Sequence, residues 1–250
     1  MKQMRMLGAT FLLAAIATGA AADPMLSGTV RDFLISHPDF EGGISGVVTG
    51  LVGSTLPADG KPDFVGAPGA GAITSAATFD QWYTDVVGVN LSAPLSIPLT
   101  ETAPGSGIYG YSNSSFFPID GMLFGNEGNA HNFHFTFESH SQFTYVPGQT
   151  FSFTGDDDLW VYINDQLVID LGGVHGAASG SVALDTLGLT PGATYDFDLF
   201  FAERHTTESN FAVQTSIVFQ TPGAVPEPGT LLLLGAGLVG LARRVRRRDA

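Results

Sequence analysis

Apolar residues in the second half of the chain recur in short runs, many of them alternating with polar ones, each closed by turn residues. In residues 132–138, Phe133, Phe135 and Phe137 alternate with His134 and Thr136. That is the period of a strand with one buried and one polar face. Residues 150–153 follow a Pro147-Gly148 turn, and residues 159–164 (LWVYIN) turn at Asp165-Gln166 into residues 167–171 (LVIDL), which predicts a hairpin. A short strand is expected at 181–184. In residues 194–202, Tyr195, Phe197, Leu199 and Phe201 alternate with Asp196, Asp198 and Phe200. Residues 211–219 close the domain. The pattern predicts an all-β antiparallel sandwich or barrel with a phenylalanine-rich core. One helix is expected over residues 78–87, capped by Thr78, with Phe79, Trp82, Tyr83 and Val86 on one face. From residue 23 to about 128, loops rich in Gly, Pro and Ser hide any period. No shift in composition separates that stretch from the rest, so residues 23–221 are read as one domain.

Both ends carry different patterns. Lys2 and Arg5 precede an apolar run over 6–16, and small residues lead to Ala20 and Ala22. Charge, apolar run and small-x-small site arrive in the order of a signal peptide, so residues 1–22 are expected to form a signal helix cut after Ala22. At the other end, residues 222–228 read as a linker. It leads to an uncharged run, 231–242 (LLLLGAGLVGLA), and an arginine cluster at 243–248. Apolar residues closed by arginines read as a stop-transfer helix with its basic end in the cytoplasm. The run is 12 residues long, whereas a stable span needs roughly 20. That length suits a transient inner-membrane anchor. Pro226, Glu227 and Pro228, the apolar run and the arginines together resemble the PEP-CTERM sorting signal. The resemblance implies cleavage by an exosortase-type enzyme, delivery to the cell surface or extracellular matrix, and an association with exopolysaccharide and biofilm.

Removing both ends sharpens the charge. The full chain carries a formal −14. Between residues 23 and 242 only Arg31, Lys61 and Arg204 face 23 acidic residues, a balance of −20. Such a surface repels nucleic acid and anionic lipid, favours solubility, and offers oxygen ligands to divalent cations. There is no cysteine, which excludes disulfides, thiol catalysis and zinc–thiolate sites.

The chemistry concentrates at Gly155-Asp156-Asp157-Asp158-Leu159-Trp160. Adjacent carboxylates at the mouth of an apolar strand repel one another, and calcium, which takes 6–8 oxygen ligands, would resolve that conflict. An acidic turn in water is the plainer reading of the same residues. Segments 28–33, 37–40, 81–83, 131–136 and, most strongly, 154–215 resemble the bacterial fibro-slime domain. The last includes residues 169–175 (IDLGGVH), 201–205 (FAERH) and 209–211 (SNF). The second half more distantly resembles the protective-antigen-type barrel of flocculin lectins. There, two aspartates joined by a cis peptide hold calcium together with a loop asparagine, and calcium holds sugar hydroxyls. By that resemblance Asp156 and Asp157 are the pair, with Asp157 and Asp158 as the alternative. Asn210 is the loop ligand, and Trp160 and His205 are ligand contacts.

Other candidates are weaker. His131 and His134 would lie on opposite faces of a strand and make poor joint metal ligands. Glu203, Arg204 and His205 are expected to form a buried ion pair. A glycosidase needs two carboxylates of distinct pKa at a set separation, and nothing in the sequence picks out such a pair. No serine-nucleophile, phosphate-loop or metalloprotease motif occurs. The sequence therefore points to a non-enzymatic, calcium-dependent module that binds exopolysaccharide or surface glycan. A purely structural matrix protein stabilised by calcium and a polysaccharide-modifying hydrolase are the alternatives.

Overall fold

The computed structural model describes residues 23–220. The signal helix with Ala22, the tail with Pro226, Glu227 and Pro228, and the apolar run 231–242 all lie outside those residues. Among the described residues no helix is long and apolar enough to cross a membrane.

The domain is all-β. In chain order the strands are β1 (Met25–Phe33), β2 (Asn90–Pro98), β3 (Thr100–Glu101), β4 (Tyr109–Asn113), β5 (Phe135–Thr144) and β6 (Thr150–Asp156). They continue with β7 (Asp158–Ile163), β8 (Gln166–Leu171), β9 (Ala178–Ala183), β10 (Thr194–Glu203) and β11 (Asn210–Thr215). They form a six-stranded sheet, β2-β1-β5-β10-β7-β8, facing a five-stranded sheet, β3-β4-β11-β6-β9. Neighbouring strands pair antiparallel throughout. Between the sheets lies the expected aromatic core, with Phe135, Phe137, Phe143, Phe151, Phe153, Phe197, Phe201 and Phe211 at its centre.

The unbroken apolar run of β7 has a simple cause. Leu159, Val161 and Ile163 enter the core between the sheets. Trp160 and Tyr162 point the other way, into a second cluster with Phe200 and Ala202 of β10. A strand buried on both faces needs apolar residues at every position. The second cluster is closed from outside by Leu51, Val52, Leu56, Ile73, Phe79 and Trp82, so residues 34–89 form a covering layer over the six-stranded sheet.

Two expectations are corrected. The helix over 78–87 shrinks to one turn, α1 (Ala76–Phe79), whose cap is Ser75 rather than Thr78. Ser75 accepts from the Thr78 backbone, and the Thr78 hydroxyl accepts from the Ser75 N–H, a reciprocal capping box. Trp82 and Tyr83 are still buried, but a turn rather than a helix carries them inward. The second correction concerns residues 23 to about 128, which had shown no clear strand. They supply β1 and β2 to one sheet and β3 and β4 to the other.

The chain's last described residue, Gln220, pairs with Gln142 near the end of β5. The opposite end of β5, Phe135, pairs with Glu203. The site described next lies at that opposite end.

Candidate functional site

Asp156 closes β6 and Asp158 opens β7. Asp157 stands between them, and the Asp156–Asp157 peptide bond is cis. All three side chains are buried, and their partners differ. Asp156 accepts from the Asn210 backbone at 2.5 Å and from Asn210 Nδ2 at 2.9 Å. Asp157 accepts from two backbone N–H groups, His175 at 3.0 Å and Arg204 at 3.1 Å. Asp158 accepts from the Gly173 N–H at 2.6 Å and forms an ion pair with Arg204 Nε at 2.5 Å.

Arg204 is fully buried. Its remaining N–H groups donate to the carbonyls of Asp39 (3.0 Å), Gly71 (2.8 Å) and Ala72 (3.2 Å), and its guanidinium stacks 4.7 Å from the Trp82 ring centre. The expected ion pair within Glu203-Arg204-His205 is therefore corrected. Neighbours on a strand face opposite ways, so Arg204 reaches into the covering layer and Asp158, while Glu203 turns to the other side.

That other side is a cleft of about 290 Å³ lined by Asp156, Asp157, Glu203, Glu208, His175, His205, Thr207, Gly176, Val174 and Ile44. Asp158 does not line it, because Arg204 and Gly173 take both its oxygens. Trp160 does not line it either. It is wholly buried in the second cluster, donating Nε1–H to Asp170, so its expected role as a ligand contact is replaced by one in packing. His205 reaches the cleft and Asn210 reaches Asp156.

Electrostatically the cleft is unresolved. Burial pushes Asp157 up to about 7, with Asp158 adding to the rise and Arg204 opposing it. Glu203 is raised well above the ordinary carboxylate range, by burial first and then by Asp157 and Asp156. Glu203 is 1% exposed, and its Oε2, like His205 Nδ1, has no hydrogen-bond partner. A buried polar atom left unpaired costs about 1–3 kcal/mol. Among the described residues this cost falls at one place, beside two further carboxylates. A cation fits that donor set. Among the described residues no ready-made cluster of three His, Asp or Glu side chains has metal-site geometry, so backbone oxygens and water would have to complete the shell.

The covering layer holds the site from behind. The Glu41 backbone N–H donates to the Arg204 carbonyl, and its carboxylate accepts from the Thr206 N–H, both at 2.8 Å. The same carboxylate meets His134, which is buried between Glu41 (3.0 Å) and Glu127 (3.1 Å). His131 lies apart, stacked on Phe117 beside Asp120. Sequence reasoning missed Glu203 as a site carboxylate and missed Glu208 and Ile44 entirely. The signal available for Glu203 was strand parity, which separates it from Arg204. A larger concavity, about 650 Å³, lies on the outer face of the five-stranded sheet, lined mainly by Thr, Ser, Gly and Gln without a carboxylate or histidine.

Residues 120–226 match the model of the PA14 domain, and residues 224–248 match that of the PEP-CTERM protein-sorting motif. Among curated proteins, psiQ of Dictyostelium discoideum is 45% identical over 206 residues, covering 77% of this chain and 20% of psiQ. Protein psiR of the same organism is 46% identical over 201 residues, covering 74% of this chain and 20% of psiR. The chain thus spans about a fifth of the length of these relatives. Among solved structures, the PA14 domain of the MpAFP antifreeze protein is 10% identical, covers 84% of this chain and 98% of its own, and has a TM-score of 0.36.

Proposed function

We propose that this chain, which carries a PA14 domain and a PEP-CTERM protein-sorting motif, is an exported surface module that binds glycan through calcium at Asp156 and Asp157. The observation that carries this reading is the cleft in which those carboxylates meet a buried, unpartnered Glu203 oxygen. Calcium prefers oxygen ligands and tolerates irregular shells that include backbone and water. Asp156 and Asp157 would be its side-chain ligands. Asn210 lies against Asp156, and a half-turn of its amide exchanges nitrogen for oxygen at that position. Bound calcium would supply charge and open coordination positions for sugar hydroxyls. The protein's own part is to fix the carboxylates, which the His175, Arg204 and Asn210 N–H groups do. The motif at 224–248 supports export and exosortase-type processing, and a matrix or biofilm setting is part of the same proposal. The acidic balance argues against nucleic acid as a partner.

Calorimetry with calcium, followed by glycan-array binding with and without chelator, tests the reading. We expect millimolar or tighter calcium binding, lost in Asp157→Asn, and chelator-sensitive glycan binding. A protein that binds no calcium at millimolar concentration would sink the mechanism. Chelator-sensitive melting without any glycan binding would favour a purely structural matrix protein. Polysaccharide turnover that disappears in Glu203→Gln would instead support a hydrolase.

A further inference from the structure

The same cleft also has a sign and a shape. Four carboxylates line it, those of Asp156, Asp157, Glu203 and Glu208, and among the described residues no lysine or arginine does. Arg204, next in sequence to Glu203, is fully buried and already held by Asp158. Even with a divalent ion balanced by Asp156 and Asp157, the Glu208 carboxylate leaves the cleft without surplus positive charge. An acidic ligand would meet repulsion there. A buried carboxylate oxygen without a donor, as at Glu203, is instead satisfied by an N–H or ammonium group.

The rim is apolar. Ile44 is 75% exposed at its edge, yet its loop is fixed. The Ser45 and Gly46 N–H groups both donate to the Val174 carbonyl at 3.0 Å, and the Val174 N–H donates to Ser45 Oγ at 3.0 Å. Val48 N–H donates to the Gly172 carbonyl at 2.7 Å. A large aliphatic side chain is thus held in water beside a charged cleft, at the cost of its unburied surface. A sugar ring matches such a site, with one C–H face for Ile44 and polar groups for the cleft.

We infer that the cleft selects a hexosamine with a free amine, its ring face against Ile44 and its ammonium group toward Glu203 and Glu208. This inference rests on the glycan-binding reading above. Titration of the full chain in calcium at about pH 6, where a sugar amine is protonated, would compare glucosamine, N-acetylglucosamine, glucose and glucuronate. We expect glucosamine to bind about five- to tenfold more tightly than glucose, and glucuronate more weakly than either. Acetylation should erase the advantage. Glu208→Gln should reduce the glucosamine-to-glucose ratio about two- to threefold, whereas Ile44→Ser should weaken both sugars about equally. If no sugar binds, the glycan reading itself fails. If sugars bind without this order, only the present inference is overturned. It is also overturned if Glu203→Gln weakens calcium but leaves the glucosamine-to-glucose ratio intact, because Glu203 then serves the ion.

Discussion

Adjacent residues at the site have opposite economies. Arg204 is satisfied on every side by Asp158, backbone carbonyls and the Trp82 ring. Arg204→Met would leave Asp158 as a buried, uncompensated charge, and we expect a loss of about 3–5 kcal/mol in urea denaturation. Glu203 is the reverse case, a buried carboxylate with an unpartnered oxygen. Without calcium, Glu203→Gln should raise stability by about 1 kcal/mol, and added calcium should stabilise the wild type more than the variant. Binding sites that work against folding behave this way. The sequence located the aspartates but not their division of labour. Which carboxylate meets Arg204 depends on the β10–β7 register, Ala202 opposite Asp158. That pairing spans more than forty residues of chain, and no local pattern encodes it. Trp160 failed as a ligand candidate for a similar reason. Beside three aspartates it looks exposed, but its partners Trp82 and Phe79 come from a stretch without period.

At the scale of elements, the strands of the second half were legible from their short apolar runs and alternation, whereas β1 to β4 were hidden among Gly-, Pro- and Ser-rich loops. β5 announces itself through alternating phenylalanines and β10 through Tyr195, Phe197, Leu199 and Phe201. The covering layer does not, because it packs by scattered anchors such as Leu51, Ile73 and Phe79. Its tight approach to the site loop depends on Gly173, whose φ of +93° lies in the left-handed region and whose Cβ, if present, would lie 2.6 Å from the Gly46 carbonyl. Gly173→Ala should therefore push the Ile44 loop away and disturb the Gly173 N–H bond to Asp158. We expect a cost of about 1–3 kcal/mol, measured by thermal melting, and weakened sugar binding in the same protein. Gly28 in β1 is constrained similarly, with no room for a Cβ against the Glu138 carbonyl.

Among the described residues, the two Lys and Arg side chains other than Arg204 share one network. Arg31 and Lys61 both pair with Glu138, and His140 bridges Glu138 and Asp198. Burial works to raise Glu138, but His140, Lys61 and Arg31 hold it at about 2. Burial works to lower His140, but its hydrogen bonds to Asp198 and Glu138 lift it to about 9. Because His140 is raised, its contribution is complete below its ordinary 6.5 and fades as pH climbs through about 9. Because Glu138 is depressed, its contribution is complete above 4.5 and fades as pH falls toward about 2. Buried Asp32, raised to about 6, opposes Glu138 on the acid side. We expect stability to drop between pH 6.5 and 9 by of order 1 kcal/mol, discounted for the partly exposed ring. Urea denaturation across that range should show a smaller decline in His140→Gln than in wild type, the remainder coming from the raised carboxyls of Asp157 and Glu203.

The pairing of Gln220 with Gln142 gives the domain a handle and a head. β10 runs ten residues from Thr194, opposite Thr144, to Glu203, opposite Phe135, a stretch of about 30 Å. Whatever follows Gln220 departs from the Thr144 end, and β1 also begins toward that end. The cleft sits at the other. A chain held by the segment beyond Gln220 would carry its cleft outward like a lamp on a post, facing away from the surface that holds it.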